Sequence, residues 1–208
     1  MSGDGLNGRR MWSLALLAVC EVAVLGLWFS ASAVVPTLVL EYSLSPSQAS
    51  LITSAVQVGF VAGTLTSAIF SLADRLDPRR FFMFSALVAA GANALLLALE
   101  PTSPMVIVLR FITGACMAGV YPVGMKMAAS WARDDVGLLI GILVGALTLG
   151  SAAPHLFNAF GGIDWHFTIL TASAAALSAA LLISLVQLGP KIAPAPPFRP
   201  GAAFEAFR

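Results

Sequence analysis

Long apolar stretches alternate with short polar segments along the whole chain. Six of these stretches contain the roughly 20 mostly apolar residues that a helix needs to cross the hydrocarbon core of a membrane. They cover residues 11–35, 50–72, 81–99, 104–131, 136–160 and 167–188. The pattern predicts an all-α membrane protein: a short N-terminal segment (residues 1–10), a bundle of six transmembrane helices (11–188) and a proline-rich tail (189–208).

Composition excludes a water-soluble domain. Apolar residues make up 59% of the chain and charged residues only 10%, whereas soluble domains carry about 25% charged residues. The lipid bilayer is therefore the expected surrounding, and a net charge of +1 gives no indication of nucleic-acid binding. Cys20 and Cys116 both fall inside apolar stretches, so we expect buried packing residues, and we predict no metal site and no cofactor.

Basic residues lie on one side of the predicted membrane. The loops after the first, third and fifth helices contain no lysine or arginine. The other side carries Arg9, Arg10, Arg75, Arg79, Arg80, Arg133, Lys191, Arg199 and Arg208. By the positive-inside rule both termini are expected in the cytoplasm, and we expect a multi-pass protein of a bacterial inner (plasma) membrane.

The first apolar stretch has an alternative interpretation as a signal peptide. Arg9 and Arg10 precede it, and residues 30–33, Ser-Ala-Ser-Ala, resemble a cleavage site. Glu21 lies in the middle of the stretch and argues against a signal peptide.

Residues 71–80 hold the densest charge in the chain, between the second and third predicted helices. Asp77-Pro78 predicts a tight turn there. The segment resembles the signature loop of the major facilitator superfamily, approximately Gly-x-Leu-Ala-Asp-Arg-x-Gly-Arg-Arg. Phe70 stands where the first glycine belongs, and Asp77-Pro78 replaces the second glycine with one residue inserted.

Three other segments are similar to the same family. They are residues 110–114 (Arg-Phe-Ile-Thr-Gly), the run Gly141, Gly145, Gly150 and Pro154, and residues 161–166 before the sixth helix. The resemblance covers nearly the whole chain, but it corresponds to the first of the family's two six-helix bundles. It implies two three-helix inverted repeats in one bundle, and transport of a small solute by alternating access, driven by an ion or solute gradient.

The resemblance also gives the charged loop a role. Asp74, Arg75, Arg79 and Arg80 would form a latch against a helix terminus of a second six-helix bundle. The alternative is that Asp74 only pairs with the neighbouring arginines, an exposed interaction worth about 0–1 kcal/mol.

Glu21 and Arg110 are the ionisable candidates for a substrate or ion pathway. Glu21 lies about 13 Å into the first helix at 1.5 Å per residue, where a charge costs about 2.5–3.5 kcal/mol, so proton coupling through it is a hypothesis beside a protonated structural role. Arg110 is expected to pair with Glu21, or else to extend to the outer interface. Trp28, Gln57 and Tyr121 are the other predicted pathway residues, and Lys126 is expected to extend to the inner interface.

Small residues recur at helical spacing in the second and fifth helices. Gly59 and Gly63 lie in one stripe, and Gly141 and Gly145, followed by Pro154, lie in the other. Such stripes let helices approach closely. One stripe could pack within the six-helix bundle. Because helices two and five face the opposite bundle in the resembled family, the two stripes together predict a missing partner.

Several alternatives stay open at this point. A transporter-like scaffold without transport has the same fold. An intramembrane serine protease using Ser151 and His155 is disfavoured because both lie on one helical turn and no Gly-x-Ser-x-Gly elbow occurs, so we expect no enzyme. The tail ends like the middle of a loop, which is compatible with a non-functional truncated half, a separate second half or a homodimer.

Overall fold

The computed structural model describes residues 3–161 and 164–192, and these residues form helices, turns and loops without a strand. The helices are α1 (Gly3–Tyr42), α2 (Pro46–Phe70), α3 (Leu72–Arg75), α4 (Pro78–Ala94), α5 (Pro104–Met117), α6 (Tyr121–Ala129), α7 (Val136–Gly161) and α8 (Trp165–Leu182). Six spans are long and apolar enough to cross a membrane, with α5 and α6 together making the fourth. The predicted six helices are confirmed; the tail beyond residue 192 and part of the loop at 161–166 lie outside the described residues.

Polar caps and prolines explain where the helices begin. Ser45 starts α2 with a reciprocal capping box to Gln48. Asp77 caps α4 by accepting hydrogen bonds from the N–H groups of Arg79 (3.0 Å) and Arg80 (3.1 Å). Helix α1 continues through Pro36 to Tyr42, so the first span is longer than the sequence predicted.

The packing of the spans is symmetric between the two halves of the bundle. The first half contains α1, α2 and α4, and the second contains α5 with α6, α7 and α8. The main contacts join α1 to α7 and α8, α5 to α2 and α4, and α4 to α8. If α1, α2 and α4 are replaced by their counterparts α5 with α6, α7 and α8, and the reverse, the same set of contacts results. Because three spans carry the chain across the membrane an odd number of times, the second half starts on the opposite side, as expected for inverted repeats.

Helix α1 lies at the centre of this arrangement. Leu17, Val24 and Leu27 are fully or almost fully buried in the core between α1 and its neighbours. This central position is incompatible with a removable signal peptide. By contrast, only 28% of an 18-residue apolar segment of α2 and 22% of one in α7 are buried, so these two helices present the widest apolar faces.

The glycine stripe of α2 packs inside the bundle. A Cβ atom on Gly59 would overlap the carbonyl oxygen of Phe111, and one on Gly63 would overlap that of Ala115, both on α5. The prediction that this stripe awaits a second bundle is therefore wrong: α2 needs these glycines to reach α5.

The other stripe, on α7, is divided between open and packed positions. Gly145, like Gly141, faces open space. About one and a half and two and a half turns further on, Gly150 and Pro154 contact α1 at Gly26, where a Cβ would lie 3.7 Å from the Gly150 oxygen and 3.9 Å from the Pro154 ring. Pro154 is thus a packing residue of the α1–α7 interface.

The chain leaving the sixth span folds back onto the fourth. Trp131 Nε1 donates to the carbonyl oxygen of Gln187 (2.9 Å), and the N–H of Gly189 donates to Ser130 Oγ (2.8 Å). A Cβ on Gly189 would overlap the backbone of Ser130. The first residues of the predicted tail, 189–192, are therefore docked on the bundle, which the sequence did not indicate.

Candidate functional site

A cavity of about 440 Å³ opens between four spans: α1, α2, α5 with α6, and α7. Its aromatic residues are Trp28, Phe29, Phe60 and Tyr121, and its polar residues, besides the Tyr121 hydroxyl, are Gln57, Thr148 and Ser151. Of the predicted pathway residues, Trp28, Gln57 and Tyr121 come together here, whereas Glu21 and Arg110 lie outside the lining.

Aromatic rings form one wall of the cavity. The rings of Trp28 and Phe60 meet edge to face, with centroids 5.1 Å apart and planes at 63°. Phe29 lies beside Trp28 at 6.2 Å. Phe60 was not predicted from the sequence. It follows Gln57 by three residues and therefore lies on the same face of α2.

Hydroxyl groups on α7 form part of the opposite wall. Ser151 Oγ donates to the carbonyl oxygen of Thr148 (2.7 Å), and Thr148 Oγ1 donates to that of Val144 (3.1 Å). Their oxygens keep acceptor capacity toward the cavity. His155 is exposed and Ser151 uses its proton on the helix backbone, so the two do not form a nucleophile and base.

Glu21 lies one helical turn from the cavity-lining Leu25, on the side toward α6. It is fully buried, and among the described residues neither carboxyl oxygen has a hydrogen-bond partner. The carboxyl group occupies the space that a side chain on Gly124 would fill. Because an unpartnered charge is costly in such packing, this site favours the neutral acid.

Arg110 is also fully buried, and it does not contact Glu21. Its guanidinium donates to the carbonyl oxygens of Leu27 (3.0 Å), Trp28 (2.5 Å) and Ile52 (3.4 Å). The two acceptors on α1, Leu27 and Trp28, lie six to seven residues beyond Glu21, about 10 Å along the helix at 1.5 Å per residue. The expected Glu21–Arg110 pair and the alternative of an interfacial Arg110 are both wrong, because the buried guanidinium donates to backbone carbonyl groups at the helix crossing instead.

Asn93 connects this arginine to the other half of the bundle. Its Oδ1 accepts from Arg110 Nη1 (3.4 Å) and from Ser30 Oγ (2.8 Å), and its Nδ2 donates to Ser173 Oγ (3.0 Å). The network joins α1, α4, α5 and α8, so it fixes the backbone of α1 next to the cavity. In the sequence, a single asparagine within an apolar helix was the only indication of this hydrogen-bond network.

The match to known proteins agrees with this architecture. Residues 17–206 match the family model of the Major Facilitator Superfamily. The chain belongs to the major facilitator superfamily. It is consequently an integral, multi-pass membrane protein of a transporter family, and the enzyme alternative is excluded.

Relatives are similar to this chain over part of their length. A putative uncharacterized transporter, YgaY of Escherichia coli K12, is 28% identical over 84% of this chain and 45% of its own length. The niacin transporter NiaP of Acinetobacter baylyi is 29% identical over 74% of this chain and 35% of its own length. The steroid transmembrane transporter SLC22A24 of Equus caballus is 27% identical over 74% of this chain and 28% of its own length. The chain spans about half the length, or less, of these relatives.

In this superfamily member, the charged loop contacts its own bundle. Lys126 Nζ, on α6, lies 2.6 Å from Asp74 Oδ1 and 2.8 Å from the carbonyl oxygen of Ala73. The alternative in which Asp74 only pairs with the neighbouring arginines is therefore wrong. Lys126 extends to the charged loop at the end of the bundle. Arg75 and Arg80 have exposed side chains.

Asp77 is the acid that contacts an arginine of the loop. Its Oδ2 lies 3.4 Å from Arg79 Nη2. Partial burial opposes ionisation of Asp77, but the N–H of Arg80 and the guanidinium and N–H of Arg79 outweigh it, and its pKa falls below the ordinary value of 3.8. The ionised cap therefore holds the start of α4.

Proposed function

We propose that this chain is one six-helix bundle of a secondary transporter, which moves a small organic solute across a membrane by alternating access. The observation that carries the proposal is the cavity of about 440 Å³, lined by spans from both inverted repeats. Its size suits a small molecule. Two buried ionisable residues lie next to it, Glu21 on α1 and Arg110 on α5, which supports a pathway for solute or protons.

A second six-helix half completes the pathway in this proposal. The exposed apolar faces of α2 and α7, and the open surface at Gly141 and Gly145, support a partner on the side where the cavity opens. The partner is a separate chain, a second copy or a continuation of the same polypeptide. The basic end of the bundle, which carries Arg79 and Arg80, faces the cytoplasm of a bacterial inner membrane.

Uptake by reconstituted protein tests this function. Proteoliposomes containing the bundle with its partner should accumulate a solute above the level of empty vesicles. Niacin and a steroid are suitable first candidates, since two relatives are named for their transport. A demonstrated monomer should bind solute weakly and transport none, because half of the cavity wall is missing. If the native assembly transports no solute, the protein is a scaffold with a transporter fold.

Cross-linking tests the position of the partner. Gly141→Cys places a thiol on the open face of α7, and Phe84→Cys, on the exposed side of α4, is its control. In native membranes a short reagent with one thiol-reactive end and one light-activated end should join Gly141→Cys, but not Phe84→Cys, to a second six-helix unit. Equal products from both variants contradict the proposed interface.

A further inference from the structure

We propose that the cavity selects a compact aromatic organic anion. The inference rests on the proposed transport function and adds the chemical class of the solute. Three features of the cavity carry it: aromatic walls, a limited volume with neutral hydrogen-bonding groups, and a buried positive charge without a compensating acid.

The aromatic walls favour a flat ring. Trp28 and Phe60 are held edge to face, and Tyr121 lies in the same lining. Aromatic faces and edges stabilise a bound ring through offset stacking and edge-to-face contacts, beyond the effect of apolar burial. At about 440 Å³ the cavity lies near the lower end of the range for small-molecule sites, so one or two rings fit better than a long chain.

Neutral polar groups in the lining provide hydrogen bonds without adding a charge to the cavity. The exposed amide of Gln57 offers N–H donors on the α2 side. The hydroxyl oxygens of Thr148 and Ser151 lie on the α7 side. A solute with one polar group on a ring can therefore be oriented across the cavity.

The charge preference comes from Arg110. Its guanidinium is fully buried, and no carboxylate of the described residues lies within the 4.0 Å of a salt bridge. Nη2 donates to the backbone carbonyl of the cavity-lining Trp28, so the positive charge is held at the backbone of a residue whose side chain lines the cavity. Four of the five guanidinium N–H groups have acceptors, which leaves one on Nη2.

Glu21 does not cancel this charge in the described arrangement. Its carboxyl oxygens have no hydrogen-bond partner, and the apolar packing around them favours the neutral acid. The net field at the cavity is then positive, and in a medium of low dielectric constant it favours an anion over a neutral or cationic solute.

Equilibrium binding to the purified chain in nanodiscs tests the inference without requiring transport. The probes are benzoate, benzamide, benzamidine and cyclohexanecarboxylate, which vary charge and aromaticity separately at similar size. Benzoate should bind with a Kd of about 1 mM, as expected for a cavity open on one side. It should bind about tenfold more tightly than benzamide or cyclohexanecarboxylate. Benzamidine should bind weakest.

Paired phenylalanine variants locate the binding site. Phe60→Leu removes the ring that contacts Trp28 and should weaken benzoate binding about fivefold. Phe84→Leu makes the same change on the exposed face of α4 and should leave the Kd unchanged. Circular dichroism checks that both variants are folded.

The outcomes separate this inference from the transport proposal. No binding of benzoate at about 10 mM, or equal or tighter binding of benzamidine or cyclohexanecarboxylate, overturns the aromatic anion. Equal effects of the two variants overturn its location in the cavity. Binding of benzoate without uptake of any solute by the assembled protein supports the aromatic anion and contradicts transport. Uptake of a cationic solute without benzoate binding supports transport and contradicts the aromatic anion.

Discussion

Lys126 holds Asp74 within the same six-helix bundle, with 2.6 Å between Nζ and Oδ1. The contact ties the loop between the second and third spans to the end of the fourth, because Lys126 also bonds the carbonyl of Ala73. In the latch that family resemblance implies, Asp74 contacts a second bundle. Asp74 can form that latch only by sharing or releasing Lys126.

Breaking this pair should destabilise the bundle slightly. The side chains are 25% and 37% exposed, so solvent screens the attraction, and we expect Lys126→Met to cost about 0.5 kcal/mol. A double-mutant cycle with Asp74→Asn, followed by thermal unfolding in detergent, should give a coupling of similar size that shrinks in high salt. Arg75→Met, a change of an exposed cation in the same loop, is the control. Zero coupling shows that the pair contributes nothing.

The two glycine stripes should respond differently to the same substitution. Gly59→Ala forces α2 away from the Phe111 carbonyl and should lower stability by about 2 kcal/mol. Gly141→Ala meets open space and should be neutral, or stabilising by up to about 1 kcal/mol through helix propensity. Thermal unfolding of the two variants measures the difference. Equal losses contradict the packing of α2 on α5.

Arg110→Lys should be strongly destabilising although it keeps the charge. A single ammonium cannot reach the carbonyls of Leu27 and Ile52 and the Asn93 amide together, so buried acceptors lose their donors. We expect a loss of about 2–4 kcal/mol in unfolding free energy. Arg80→Lys, on an exposed side chain, should change stability by less than about 0.5 kcal/mol. Wild-type stability of Arg110→Lys rules out a network that depends on the planar guanidinium.

Asp77 should make stability depend on acid pH. Its pKa is lowered in the folded state, so its contribution is complete above the ordinary value of 3.8 and is lost as the pH falls through the lowered pKa. Asp77→Ala should cost about 1 kcal/mol at neutral pH and progressively less in acid. Asp77→Asn keeps an uncharged cap and should lack this pH dependence. Unfolding temperatures from about pH 6 to about pH 2 provide the measurement.

Apolar length predicted the six spans of this fold well, because it depends on local sequence. The two inverted repeats were implied by the family resemblance, and the contacts between the spans agree with them. Which helices touch was harder to predict. The stripe containing Gly59 was predicted to face a second bundle, and only the position of α5 shows that it packs inside this one.

The candidate site was predicted in part, for a related reason. Trp28, Gln57 and Tyr121 lie together because each is on the face of its helix that borders the cavity. The predicted pair of Glu21 and Arg110 was wrong because it considered only their opposite charges, and not how deep each residue lies in the membrane-spanning bundle. Backbone carbonyls compete with a carboxylate for a guanidinium, and no sequence pattern records which of them a helix crossing brings close.

Replacing Glu21 tests the proposal that it carries protons. Its buried carboxyl lies one turn from the cavity wall without a hydrogen-bond partner among the described residues, so loading and release of a proton there would alter the charge beside the solute. In proteoliposomes holding the assembled transporter, wild-type uptake should rise as the external pH is lowered, and Glu21→Gln should remove that dependence. Glu41→Gln, on an exposed carboxyl at the end of the same helix, should retain it. An unchanged pH profile in Glu21→Gln assigns the carboxyl a structural role.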